Sequence, residues 1–439
     1  MIIRNGLIIT MDDDGRIFEG DLRIDDGNIV EMASYIGHAG TAEDVLDARG
    51  CLVLPGFVQA HVHLCQTLCR NTADDLELLD WLAERVWPHE AALTPATLRA
   101  AADLGLLELI DGGTSTILDM GTVHHTDVLF EAARDAGIRY AGGKCLMDLD
   151  ESGRCPERLI EEPKTAMAET AALAERWHGA AGGRLRYAVA PRFAVSCSEE
   201  LLELAGDFAC AEGLLIHTHA SENLGECEII RRRTGRDNVD YLSDLGLLGS
   251  HVVLAHGVHL SEAEVSLLFG TGTHVAHCPS SNLKLASGFA KIPELLDFGI
   301  NVALGADGAP CNNRLDIFRE MHLASLIQKP RLGPRAMPAR RVLEMATRGG
   351  ARALGLEDEI GSLEVGKRAD VVVLDRMDPR MITGDPIAAV VFAAGPGCVR
   401  DLIVDGRFLK RDFEVVSLDV SAVLRAAQEA RDELESEDP

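Results

Sequence analysis

Long apolar runs are missing from this chain. No stretch approaches the ~20 residues that a membrane-crossing helix needs. The opening, Met1-Ile2-Ile3-Arg4-Asn5-Gly6, lacks the layout of a secretion signal. Paired cysteines are missing too. The eleven cysteines form no Cys-x-x-Cys pair and their number is odd, so the expectation is reduced thiols in a cytoplasmic protein. Cations are scarce: 42 Lys and Arg stand against 70 Asp and Glu, a net charge of −28. Such a surface disfavours nucleic acid and anionic membranes as partners. There is no internal repeat and no low-complexity segment.

Apolar residues are plentiful, at 47% of 439, ample for a large core and one to three domains. Residues 1–54 read as short strands around the turn cluster Asp12-Asp13-Asp14-Gly15, namely Leu7–Thr10, Gly20–Ile24, Gly27–Met32 and Cys51–Leu54. From residue 55 the pattern changes to short apolar runs alternating with helix-period segments. The strand candidates are Phe57–His63, Ser115–Met120, Arg139–Met147, Leu185–Pro191, Leu214–His219, His251–His256, Thr273–Cys278 and Asn301–Asp307. Helices are expected between them, among them Thr94–Asp111, Thr126–Ala136, Ser198–Ala211 and Ser261–Phe269, each opening on a Ser or Thr able to cap it. Eight βα units in roughly 300 residues predict a (β/α)8 TIM-type barrel. Strands return after residue 358, in Ala369–Asp375 and Val399–Gly406. The expected organisation is a small β-sandwich built from both chain ends, 1–54 and 359–418, a catalytic barrel at 55–358, and an acidic C-terminal helix or tail at 419–439.

The first chemical signal lies at the end of the first barrel strand, Pro55-Gly56-Phe57-Val58-Gln59-Ala60-His61-Val62-His63. Residues i and i+2 of a strand share a face, so both imidazoles project together, as two ligands of one metal would. Alone, His-x-His is a weak signal, because strand histidines are often satisfied core residues. Other strand ends strengthen it: His217-Thr218-His219, then His256, then Asp307. Barrel enzymes place their reactive groups at these ends. Three imidazoles and a carboxylate suit Zn²⁺, which lowers the pKa of water and so supplies hydroxide. Fe²⁺ and Mn²⁺ stay open, since such sites take several metals. His217 and His219 share a face, and spacing does not choose between them. Glu222, three residues past His219, is placed to act as general acid or base. Cys65 and Cys69, near the histidine pair, read as small apolar residues.

These stretches carry a resemblance that covers nearly the whole chain. Pro-Gly-Phe-Val-x-x-His-x-His, His219-x-x-Glu222, Ala255-His256-Gly257 and Leu304-Gly305-Ala306-Asp307-Gly308 together resemble the deaminase branch of the amidohydrolase superfamily. That branch holds guanine deaminase, methylthioadenosine/S-adenosylhomocysteine deaminase and the s-triazine hydrolases. The resemblance implies one Zn²⁺ bound by His61, His63, His219 and Asp307. It implies that Glu222 shuttles protons to a ring nitrogen, that His256 orients the attacking water, and that Asp307 also accepts a proton from it. It also suggests a homo-oligomer, a dimer or higher.

For the substrate, a small-molecule heterocycle, two groups within the branch compete. The stretches His63–Gln66, Thr122–Asp127, Gly143–Asp148, Pro191–Glu199 and His219–Asn223 look closest to guanine deaminase. Carried over, Gln66 and Arg192 would hydrogen-bond the ring and Phe193 would pack on it. Arg192 otherwise reads as one half of a strand-end salt bridge. The stretches Cys278–Gly288 and Asp307–Asn313 look more like the methylthioadenosine/S-adenosylhomocysteine deaminases, and Asp80–Glu90 fits them as well. There Trp81 would meet the adenine and Glu90 the ribose hydroxyls. Core packing is the alternative for Trp81 and Trp87. The first expectation is a 2-amino-4-oxo ring, as in guanine or a pterin; the second is an adenosine-type nucleoside; the third is an s-triazine. Substrate contacts by Lys144 and His125 stay open. A degenerate, purely structural homologue is the reading from another class, and the full ligand set with Glu222 argues against it.

Overall fold

The computed structural model describes residues 1–37, 44–382 and 384–437. Parts of three expected segments, residues 38–43, residue 383 and the last two residues of the tail, lie outside them.

Five strands precede the barrel: β1 (Ile2–Ile9), β2 (Ile17–Asp25), β3 (Asn28–Ala33), β4 (Val45–Asp47) and β5 (Cys51–Pro55). Barrel strands follow as β6 (Phe57–His63), β7 (Thr114–Met120), β8 (Arg139–Gly143) with its short extension β9 (Cys145–Leu146), and β10 (Leu185–Pro191). Next come β11 (Leu215–Ala220), β12 (Val252–His256), β13 (His274–His277), and β14 (Val302–Leu304) with β15 (Asp307–Gly308). Every neighbouring pair in this second group is parallel. The ring closes because the last strand is read twice. β14 pairs with β13, and β15 pairs with β6. A Cβ at Gly305 would lie 2.5 Å from the His61 carbonyl oxygen and 2.8 Å from its nitrogen. Only glycine lets the eighth strand come that close to the first.

The barrel floor is built from small and branched side chains, one or two from nearly every strand. Val58, Ala60, Leu118, Ala141, Ala188, Val253, Ala276 and Ala303 pack on Ala351, Ala353 and Leu354, which plug the N-terminal end. With that end filled, only the C-terminal end can open on a ligand.

Two expected strands are interrupted, each for a visible reason. Arg139–Met147 breaks at Lys144, whose backbone N–H is drawn to the Tyr187 hydroxyl at 3.1 Å. Asn301–Asp307 breaks at Gly305 and Ala306, where the strand passes from β13 to β6. Of the four named helices, Thr94, Ser198 and Ser261 do cap theirs. Thr126 does not. It lies inside its helix, bonding the Thr122 carbonyl, while His125, in the left-handed region at φ 64°, occupies the cap position. Thr126 is already hydrogen-bonded backward and so leaves that cap position to a residue without a side-chain cap bond.

Both chain ends meet in one sheet. β16 (Val371–Asp375) pairs antiparallel with β5 and with β17 (Val399–Val404), and β18 (Arg407–Arg411) and β19 (Glu414–Val415) extend it. The expected sandwich is thus a single ladder of nine strands that curls over its own core. Ile3, Leu22, Ile29, Val371 and Ile403 share that core, and β3 reaches back to the segment before β16 through Ile29 N–H to the Lys367 carbonyl, 2.8 Å. The acidic tail forms a helix, Val420–Glu437, held down by Val423, Ala427 and Ala430 on the helix Pro95–Asp111. Among the described residues no helix is long and apolar enough to cross a membrane, and all eleven cysteines are free.

Candidate metal centre and substrate cleft

Four strand ends bring His61, His63, His219, His256 and Asp307 to one point at the open end of the barrel. The ordinary alternation of β6 is altered by register shifts between Gln59 and Val62. Ser221, His256 and Asp307 all adopt positive φ, at 53°, 75° and 64°. Non-glycine residues hold that conformation only where the surroundings impose it, typically at functional sites.

The hydrogen bonds fix how each ring faces. His63 Nδ1 lies 3.1 Å from the Met120 carbonyl, and His219 Nδ1 lies 2.6 Å from the Arg192 carbonyl. A carbonyl only accepts, so both Nδ1 atoms carry the proton. Burial drives the His63 pKa down to about 3 and that of His219 well below its usual value, so both rings are neutral. Both Nε2 atoms are therefore bare lone pairs, yet they face each other at 3.2 Å. His61 Nε2 and His63 Nε2 lie 3.3 and 3.4 Å from Asp307 Oδ1. Lone pairs and a carboxylate at such distances repel unless a cation lies among them. Four ligands about 2.0–2.1 Å from a tetrahedral ion would stand about 3.3–3.4 Å apart. The donor set fits a divalent metal.

His256 stands slightly off this set. Its Nδ1 is paired with Asn282 Oδ1 at 2.9 Å. Its Nε2 is 3.8 Å from Asp307 Oδ2 and 3.5 Å from Glu222 Oε2. A looser grouping, with ligand atoms within 4.8 Å of one another, contains His61, His219, His256 and Asp307. The tighter contacts favour His63 over His256 as the ligand and leave His256 facing the space beside it. His217, which spacing left as a rival of His219, is one layer deeper. Its Nε2 meets His61 Nδ1 at 2.8 Å, so it orients a ligand rather than being one. Neither His217 in this supporting role nor Asn282 was recognisable from sequence, because both act through a second side chain.

The two carboxylates are driven apart in protonation. Burial pushes the Glu222 carboxyl well above its usual range, helped by the nearby Asp307 and Glu226 carboxylates. Burial acts on Asp307 the same way, but His61 and His256 outweigh it and hold Asp307 well below the carboxylate range. The two acids are thus shifted in opposite directions within one site, the arrangement that assigns acid and base.

A cleft opens over this centre, lined by Gln66, Trp81, Arg192, Phe193, Glu222 and Leu285 among others. Gln66, Arg192, Phe193 and Trp81, all singled out from sequence, stand on its wall. Glu90 does not. It lies behind the wall, where Arg192 grips it through Nη1 at 2.6 Å and Nη2 at 3.2 Å, and Gln66 Nε2 donates to it at 2.9 Å. Arg192 was expected to find its partner in a substrate carbonyl. The salt-bridge alternative is what the structure contains, because an arginine 3% exposed beside a glutamate 8% exposed pairs with it. Lys144 is turned away, its ammonium 2.8 Å from both Glu161 and Glu169, and His125 is exposed.

The family profile described as "Amidohydrolase family" matches residues 52–409. A 5-methylthioadenosine/S-adenosylhomocysteine deaminase of Syntrophobacter fumaroxidans is 40% identical over 429 residues, 97% of this chain and 96% of that protein. A 5′-deoxyadenosine deaminase of Methanosarcina mazei is 38% identical over 439 residues, 99% of this chain and 98% of its own. Among solved structures, an adenosine deaminase from Xanthomonas campestris with bound zinc superposes with a TM-score of 0.91 at 28% identity, covering 99% of this chain and 98% of that one.

Proposed function

The chain belongs to the amidohydrolase family, and within it we propose a zinc-dependent deaminase of adenosine-type nucleosides altered at the 5′ carbon. It is a metal-dependent hydrolase by family and by donor set. Zinc is favoured by the zinc-bound structural neighbour. Relatives that match almost the full chain at 38–40% identity are named for 5′-modified adenosines, and they favour this substrate class over a guanine-like ring. The observation that carries the choice is the bidentate pairing of Arg192 with Glu90. In the guanine-like reading Arg192 would donate to the ring carbonyl; its pairing with Glu90 leaves fewer of its donors for one, and adenine has no carbonyl to offer. Eleven unpaired cysteines favour a reducing, cytoplasmic setting, and a homo-oligomer belongs to the same reading.

In this reading His61, His63, His219 and Asp307 hold the ion. When bound, it supplies a water of lowered pKa as nucleophile. Glu222, whose carboxyl burial pushes well above its usual range, gives its proton to the ring nitrogen beside the amino-bearing carbon. His256 would orient the attacking water, and Asp307 would accept its proton. Phe193 and Trp81 pack on the purine. Water enters, ammonia leaves, and the amino group is replaced by an oxo group.

The test is ammonia release from 5′-deoxyadenosine, methylthioadenosine, S-adenosylhomocysteine, adenosine, guanine, a pterin and an s-triazine. The 5′-modified adenosines should give the highest kcat/KM. Guanine or the pterin as best substrate would overturn the reading.

A further inference from the structure

Glu226 is fully buried, and no step of the proposed chemistry uses it. Its two oxygens accept four hydrogen bonds. Oε1 takes the Ser221 N–H at 3.1 Å and the Asn238 side-chain amide, and Oε2 takes the Glu222 N–H at 2.7 Å and the Asn223 N–H at 3.3 Å. Four acceptor contacts fill the capacity of a carboxylate.

The ordinary explanation is helix capping. Glu226 is the third residue of the helix Leu224–Thr234, Asn223 is its cap, and the two form a capping box. A capping box needs only the bond to the Asn223 N–H, and that is the longest of the three backbone contacts. The shorter two go to Ser221 and Glu222, which lie outside the helix. Ser221 adopts φ 53°, so the turn that aims Glu222 is held against its backbone preference.

The same turn reaches His256. The Ser221 carbonyl accepts the N–H groups of Val258 and His259, both at 2.9 Å, and the Ala220 carbonyl accepts that of Gly257 at 3.1 Å. Residues 220–221 and 257–259 are thereby bound together, directly beside Glu222 and His256, whose side-chain atoms stand 3.5 Å apart.

We propose that Glu226 is a positioning residue: its carboxylate fixes the Ser221–Asn223 turn and so sets the Glu222 carboxyl beside the His256 imidazole. The role rests on the deaminase reading only for the reaction it serves. The geometric part stands without it.

Three variants test it. Glu226→Gln keeps the shape but replaces one acceptor oxygen with a donor. Glu226→Asp keeps both acceptors on a shorter arm. Asn223→Ala removes the side-chain cap of the same helix, the bond to Gly225 N–H at 2.8 Å. A displacement of about 1 Å in an active site can lower turnover ~10²-fold. Glu226→Gln should therefore lose ~10²-fold in kcat with KM within about threefold and metal content unchanged. Glu226→Asp should recover part of kcat, and Asn223→Ala should lose thermal stability while keeping kcat. Crystal structures of wild type and Glu226→Gln supply a readout independent of turnover, the Glu222–His256 separation, which should widen in the variant. Unchanged separation or unchanged kcat in Glu226→Gln would reduce Glu226 to a helix cap and overturn the proposal. So would a kcat loss in Asn223→Ala equal to that of Glu226→Gln. If Glu226→Gln fails to fold, Glu226→Asp decides: wild-type kcat and separation there overturn it. If wild type turns over no adenosine, the deaminase reading fails, and the crystal separation still decides the role of Glu226.

Discussion

Glu222 and Asp307 approach the same His256 imidazole, yet their carboxyls are shifted in opposite directions, Glu222 up and Asp307 down. The cause is what each faces: carboxylates around Glu222, imidazoles around Asp307. Glu222→Gln keeps the size and loses the transferable proton. Its turnover should fall at least ~10²-fold while metal content, measured by elemental analysis, stays at the wild-type level. Full activity in the metal-loaded variant would move the proton transfer elsewhere. Glu320 offers a second single-residue test, away from the ion. Burial raises its carboxyl to about 7, against the Ser280 and Asn312 donors that oppose the shift. A folded-state pKa above the unfolded value means that the native state binds more protons between the two. Stability from this group is therefore full below pH 4.5 and is lost as pH rises to about 7. The loss is on the order of 3 kcal/mol. Glu320→Gln should flatten that part of a denaturant-melt series, and an unchanged slope would assign it to other groups.

At the scale of elements, the site depends on how strand ends meet more than on any one ligand. β6 supplies two histidines, and β14 and β15 must cross beside them to deliver Asp307. Gly305 makes this crossing possible, since a Cβ there would collide with the His61 backbone. Gly305→Ala should leave a folded barrel with weakened metal binding, because His61 must shift while the floor of the barrel does not. Equilibrium dialysis against zinc with circular dichroism as a control measures this; wild-type affinity would mean that the two strands yield without moving the imidazole. The loop elements behave in the same way. Thr126 looks like a helix cap in one dimension, and its backward bond to Thr122 becomes visible only when the turn before it is seen.

Across the whole molecule, the C-terminal strands of the mixed sheet are fastened to the barrel by a buried charge cluster. Arg139, at the start of β8, donates to both oxygens of Asp370 at 3.0 Å and to Asp405 at 2.7 Å. Arg139 and Asp370 are each 2% exposed at the side chain. Removing one partner of such a pair leaves a buried charge, at a cost of ~3–5 kcal/mol. Arg139→Met should destabilise the protein by that amount in equilibrium unfolding, and adding Asp370→Asn should recover part of it. Equal stabilities of the single and double variants would show that the pair is not the fastening.

The sequence alone determined the eight βα units, the ligands His61, His63 and Asp307 as candidates, and Glu222 beyond the fifth strand. These are local signals: period-two and period-3.6 patterning, and polar residues where apolar strands close. It also showed that both chain ends are strand-rich, although not that they form one curled ladder. The resemblance named His219 over His217, and the tertiary structure supplies the reason that spacing does not: residues two apart in a strand share a face, and His217 lies deeper, against His61. Only the structure seated Arg192 on Glu90, residues 102 apart in the chain. Spacing along a strand is set by covalent geometry and can be read from a sequence. The partner of a buried charge is set by which distant segments pack together, and no local pattern encodes that.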